Sequence, residues 1–305
     1  MKIAKKPEKS QKYERFIKQR NAFLKIKEFS DIVYERNNKK IEETDLIIKL
    51  KQLLNESINE YDTPPAIDLP PSDKYYYRAR IIDDLLDSED MGIEFSDTKI
   101  LSGYNKYESK EPPIGISSHG RNNYMGSSYL YLSDDIYTAC AEIRPEPISF
   151  ISLAKFRITE RLRIVDFSKE YSYAENESDF SIDYLMWLLM YIFSNRVNNN
   201  YEKRYYATQY ISDLIRKYGF DGLCYNSSMA SGKNYTIFNC NEKNVAFISS
   251  DVLMVDETDY NIYDFNTLEK YERNHEHDSN HLALLSAERI RILAKANVRK
   301  KALSK

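Results

Sequence analysis

Glycine is scarce in this chain, with 8 among 305 residues. None of them builds a GxGxxG run or a P-loop at a strand–helix junction. Dinucleotide-binding Rossmann folds and P-loop NTPases rely on such loops, so neither is indicated. Cysteine is nearly absent too. Cys140, Cys224 and Cys240 are odd in number and lack the paired spacing of a zinc site. They fit reduced, mostly buried thiols. Positive charge is not in excess: 44 Lys and Arg stand against 47 Asp and Glu, a net charge of −3. Electrostatic binding of DNA or RNA needs a basic face, so no direct nucleic-acid binding is expected. Long hydrophobic runs are missing as well. The longest, YLMWLLMYIF at 184–193, is about half of what spans a bilayer. It predicts a buried helix and no membrane association. Residues 1–20 carry charge but no apolar h-region, so no secretory leader is expected. These features together predict a soluble, cytoplasmic protein.

Tyrosine is plentiful, with 26 against 13 phenylalanines. Tyrosine suits surfaces that are apolar and hydrogen-bonding at once, such as binding clefts, although an AT-rich genome also raises it. Residues 1–36 are Lys- and Arg-rich, with Phe16, Phe23, Ile26 and Val33 at roughly helical spacing. In 41–61, Leu46, Leu50, Leu53, Leu54 and Ile58 share one helical face. The stretch TPPAIDLPPSD at 63–73 holds four of the nine prolines. It reads as an extended connector, and a boundary is expected there. Residues 1–62 are thus expected as a helical N-terminal extension, 74–250 as the main domain, and 251–305 as a polar tail ending in a basic helix.

Within 74–250, strands are predicted at 75–81, 127–133, 148–158, 161–167, within GFDGLCYNSS at 219–228 after a helix stop and a turn, at 234–239 and at 245–250. Helices are predicted after Asp134 or Asp135, a natural N-cap, and over 181–195 and 204–218. Their order is mixed rather than a regular βαβ series, so the fold class is α+β.

Candidate chemistry gathers at a few positions. Arg78 lies in a strand-like run, and Arg121 in the Gly-flanked loop GRNNYMG. Two guanidinium forks match a diphosphate, and Gly120 and Gly126 would let backbone approach a ligand closely. Glu142 borders a helical stripe of Ile136, Ala139, Cys140 and Ile143, so it can face a cleft. Each residue alone has an ordinary structural explanation: surface ion pair, solvated carboxylate, turn-forming serine.

The ordered blocks YYYRAR, GRNNYMGSSYLYLSDDIYTACAEIRP, YYATQYISDLIRKYGFDGLCYNSS and GKNYTIF are more specific. Over about residues 74–250 they resemble the RES domain family, named for its Arg, Glu and Ser. Tyr124 stands where a small residue or proline is expected, and Asn226 where many members carry proline. The resemblance implies an ADP-ribosyltransferase-like mixed β core and NAD⁺ as the substrate. It implies that Arg78 and Arg121 hold the phosphates, that Tyr131 lines the pocket, that Glu142 faces the reacting ribose, and that Ser227, or else Ser228, completes the site. It implies release of nicotinamide by an NAD⁺ glycohydrolase or an NAD⁺ phosphorylase, the latter with phosphate as co-substrate. ADP-ribosylation of a protein target is the alternative, and a non-catalytic binding module a weaker one. It also implies the toxin half of a bacterial toxin–antitoxin pair, with a helix-turn-helix antitoxin as partner. The chemistry is coherent, because nicotinamide leaves a cationic N-glycoside as a neutral molecule. One carboxylate that stabilises an oxocarbenium-like ribose is enough.

Three of the four histidines, His275, His277 and His281, fall in HEHDSNH, outside these blocks and without a pattern that fixes them. No metal site is expected there. The basic ends suit pairing into a homo-oligomer, shielding of the site, or docking of an antitoxin.

Overall fold

Period-two alternation and a 3.6-residue stripe compete along this chain, and proline and glycine mark where one gives way to the other. The computed structural model describes residues 9–59, 65–82, 103–147, 149–171, 181–195, 203 and 205–255. All of them fall in one compact unit, Met1–Val255. Of the expected polar tail 251–305, residues 251–254 instead continue the last strand, whose backbone pairs with a neighbouring strand, while the tail beyond 255, its basic helix and the histidine-rich stretch lie outside the described residues.

Three helices come first: α1 (Lys9–Tyr34), the short α2 (Asn38–Glu42) and α3 (Asp45–Asn59). The sequence reading had merged α2 and α3 into one helix. They are separate because the chain turns at Glu43 and Thr44, where the Thr44 hydroxyl donates to the Ile41 carbonyl (2.7 Å). Leu46, Leu50, Leu53 and Leu54 are buried, as their spacing predicts. The proline-rich stretch that follows contributes a strand, β1 (Ala66–Leu69).

The remaining elements are β2 (Tyr75–Ile81), α4 (Lys106–Ser109), β3 (Leu130–Ser133), α5 (Ile136–Glu142), β4 (Phe150–Ile158) and β5 (Leu162–Asp166). Then come α6 (Ile182–Ser194), α7 (Tyr205–Lys217), β6 (Gly222–Asn226), β7 (Lys233–Ile237) and β8 (Val245–Met254). Every strand predicted within 74–250 is present, and β1 and α4 are additional. The eight strands form one sheet in the order β1-β5-β6-β7-β3-β2-β4-β8. Among the described residues, only β5 and β6 pair in parallel. This is the α+β architecture expected.

One face of the sheet carries Tyr76, Leu132, Phe156, Ile164, Tyr235 and Ile237. The other packs under helices. Leu188 and Phe193 of α6 and Ile211 and Ile215 of α7 share their core with Phe29 and Val33 of α1 and Leu50 and Leu54 of α3. The run 184–193 is thus a buried helix. Gly219, at φ +89°, ends α7 in the left-handed region that glycine tolerates, and β6 follows. Among the described residues, no helix is long and apolar enough to cross a membrane.

Candidate active site

β2 pairs with β4 through all seven residues Tyr75–Ile81. Its pairing with β3 is a single register point, Tyr77 opposite Ser133. Beyond that point the two strands part, and the sheet opens. A cavity of about 530 Å³ occupies the split. That size is within the ~300–1,000 Å³ of small-molecule sites. Its walls are Tyr77–Ile81 of β2, Tyr131–Ser133 of β3, Tyr225, Asn234, Ala139 and Glu142 of α5, and Ile143 just after that helix.

Asp135 begins α5, its carboxylate accepting from the Thr138 N–H (2.8 Å). Arg144, at φ +49°, and Pro145 prevent the helix from continuing. Glu142 is therefore the last helical residue, at the end where the helix dipole disfavours an anion. Two donors offset this. Ser227 Oγ donates to Glu142 Oε1 at 2.5 Å, and Asn234 Nδ2 donates to the same oxygen at 2.7 Å. Among the described residues, no hydrogen bond falls on Oε2. Ser227, not Ser228, is the serine that reaches the glutamate. Its Oγ also accepts from the N–H groups of Met229 and Ala230 (3.0 and 3.1 Å), which curls the turn after β6. Asn226 anchors that turn, its Nδ2 donating to the Ser168 carbonyl (2.8 Å). Proline could not make this bond. Ile136, expected in the apolar stripe of α5, is instead exposed (42 %). Ala139 is the buried member of that stripe, packed with Ala79, Ile151 and Leu153 of the sheet.

Tyr131 presents its ring to the cavity. Its hydroxyl accepts from the Asn122 N–H (3.1 Å) and donates to Asn123 Oδ1 (2.7 Å). Burial pushes the phenol well above its usual pKa. Burial likewise raises Tyr225 to about 12. Gly120 was expected to let backbone approach a ligand. A Cβ there would collide with the Asn123 amide and lie 2.8 Å from the Tyr131 hydroxyl, so its smallness serves this contact. From α7, Gln209 Nε2 donates to the Gly120 carbonyl (2.8 Å) and Thr208 Oγ1 donates to the Arg121 carbonyl. The Thr-Gln pair thus clamps the GRNNYMG loop.

The two arginines are placed differently. Arg78 lies on the wall of the split, but strand alternation sends its side chain to the face opposite α5. There its Nη1 donates to the carbonyls of Ser109 (2.7 Å) and Lys110. Burial, and secondarily the neighbouring Arg80, lower its pKa to about 10, so it remains a cation. Arg121 is not among the cavity residues. Its Nη1 donates to the carbonyls of Phe193 (2.9 Å) and Asn195 (2.7 Å), capping the C-terminus of α6. The guanidinium also lies 5.9 Å from the Tyr205 ring centroid and 5.7 Å from that of Tyr225. The structure therefore brings Tyr131, Glu142 and Ser227 together, with Arg78 at the margin and Arg121 behind the Tyr225 wall.

Sequence reading did not single out Tyr77, Ser133, Asn234 or Tyr225. These four lie in register, one on each of β2, β3, β7 and β6, as a row across the sheet floor. A polar residue inside each apolar strand was the only local signal. Among the described residues, no group of three or more His, Cys, Asp or Glu could hold a metal.

A split, mostly antiparallel sheet with a carboxylate held over a cleft defines an α+β protein. The RES domain family model matches residues 104–260, more than half of the chain, and the chain belongs to that family. The match contains Arg121, Tyr131, Glu142 and Ser227 and begins after β2, leaving Arg78 outside it. The crystal structure of the M. tuberculosis MbcT-MbcA toxin-antitoxin complex is similar at 12 % identity and a TM-score of 0.37, over 68 % of this chain and 94 % of that one. No curated protein matches the chain.

Proposed function

We propose that this protein cleaves the N-glycosidic bond of NAD⁺, releasing nicotinamide, with water or phosphate as acceptor, and serves as the toxin of a toxin–antitoxin pair. The observation that carries the reading is Glu142, an anion held by Ser227 and Asn234 on the wall of a tyrosine-lined cleft. In the reaction, the bond between the anomeric carbon and the pyridinium nitrogen breaks, and its electron pair returns to the ring. Nicotinamide leaves neutral, so no acid is required. The ribose becomes oxocarbenium-like, and Glu142 stabilises that charge through its oxygen Oε2 or by holding a ribose hydroxyl. Both donors already sit on Oε1, so the carboxylate enters the reaction with little reorganisation. Tyr77, Tyr131 and Tyr225 supply flat apolar walls for the nicotinamide. Arg78, cationic at the margin of the split, is the group we assign to the diphosphate, which requires its guanidinium to exchange the Ser109 and Lys110 carbonyls on the face opposite α5 for phosphate oxygens reached through the split. Arg121 acts by joining the GRNNYMG loop to α6 and backing Tyr225. The acceptor then attacks the anomeric carbon and passes its proton to solvent.

Separating the products of NAD⁺ incubation, with and without phosphate and beside Glu142→Ala, tests this. Glu142-dependent nicotinamide release is expected. A phosphate requirement makes the protein a phosphorylase, and indifference to phosphate a hydrolase. Labelled ADP-ribose that appears on a protein band instead would establish target modification.

A further inference from the structure

We infer that Asn234, oriented by Ser133, is a positioning residue that sets the rotation of the Glu142 carboxylate. This rests on the reading of the reaction above. Asn234 is in the middle of the sheet, only 6 % exposed, and Ser133 opposite it is 4 % exposed. An amide is costly at such a position unless it is paired, and an aliphatic side chain would fit the surrounding strands without that cost. Both ends of this amide are paired. Ser133 Oγ donates to Asn234 Oδ1 at 2.8 Å and holds the plane of the amide; a hydroxyl can serve either end, and it is the acceptor-only Glu142 carboxylate that selects the nitrogen for its own side. Nδ2 donates to Glu142 Oε1 at 2.7 Å. In the reversed orientation, the amide oxygen would face a carboxylate oxygen and repel it. Ser227 approaches the same Oε1 from the turn after β6. Two donors from different elements, meeting on one oxygen, fix the plane of the carboxylate and leave Oε2 for the substrate. The relay Ser133–Asn234–Glu142 is therefore built into the sheet floor, and Ser227 closes it from the loop side.

The test uses the full chain and the variants Asn234→Leu, Asn234→Asp, Ser133→Ala and Ser133→Thr. Two quantities are measured: kcat and KM for nicotinamide release from NAD⁺, and the carboxyl-carbon chemical shift of isotopically labelled Glu142. Asn234→Leu should lower kcat about 10–100-fold, the worth of one hydrogen bond to a charged group, and Asn234→Asp at least as much, because its carboxylate also repels that of Glu142; both should leave KM nearly unchanged. Ser133→Ala should fall between these and wild type, and Ser133→Thr, which keeps the hydroxyl, should restore most of the rate. The Glu142 resonance should move in Asn234→Leu and Ser133→Ala and return in Ser133→Thr. An unchanged resonance, or a loss of rate that Ser133→Thr does not rescue, overturns the relay. If Asn234→Leu does not fold, the Ser133 pair decides alone. A wild-type protein that releases no nicotinamide, while the resonance moves as described, refutes the reaction and leaves the positioning intact.

Discussion

Replacing Glu142 by glutamine separates its charge from its geometry. Glutamine is isosteric, and its carbonyl oxygen can take the place of Oε1, accepting from Ser227 and Asn234 as before. What changes is the strength of those bonds. Hydrogen bonds to a charged group contribute about 1.5–3 kcal/mol, against about 1 kcal/mol for neutral pairs, so weakening two costs roughly 1–3 kcal/mol. Removing an anion from the end of α5 returns ~0.3–1 kcal/mol. The net loss is about 1–2 kcal/mol, a fall in Tm of a few degrees for a chain of this size. Turnover should respond far more strongly. Without the negative charge the oxocarbenium-like ribose loses its stabilisation, and kcat should fall by roughly 10²–10³-fold, about 2.7–4 kcal/mol. The assay is steady-state nicotinamide release beside a thermal melt of the same sample. A folded Glu142→Gln protein whose kcat stays near that of wild type would refute the electrostatic role. A collapse in Tm with no specific effect on kcat would make Glu142 a structural anchor instead.

Arg121→Ala should lower unfolding stability by about 1.5–3 kcal/mol, because the carbonyls of Phe193 and Asn195 lose a charged donor. An unchanged Tm with a strongly raised KM for NAD⁺ would show that Arg121 grips phosphate, as the sequence resemblance implied. The buried phenols predict alkaline unfolding. Burial raises Tyr131 and Tyr225, the latter to about 12, so the unfolded state loses these protons first. Their contribution to stability is complete below the unfolded value of ~10 and is lost as pH rises through the folded values. Denaturant titrations should show stability falling above that point, less steeply in Tyr225→Phe. A flat profile there would count against the enclosure of these hydroxyls.

Local pattern alone determined much of this molecule. The leucine spacing of α3, the apolar run of α6, the Asp135 cap and the Gly219 stop all follow from contacts within a few residues along the chain. So did the strands within 74–250, whose alternation is visible one strand at a time. The ordered blocks also singled out Tyr131, Glu142 and Ser227, which meet at the cavity or at Glu142 itself. Tertiary structure alone decided the rest. Asn234 and Ser133 look like incidental polar residues until the register of β3 on β7 sets them opposite each other and under Glu142. Register joins residues about a hundred positions apart, and no local period encodes it. β1 was hidden because four residues in a proline-rich stretch become a strand only when β5 supplies the partner. The arginines show the limit most clearly. Composition predicts that a guanidinium seeks oxygen. Only the packed chain determines that Arg121 finds it in the carbonyls at the end of α6, 72 and 74 positions further along the chain.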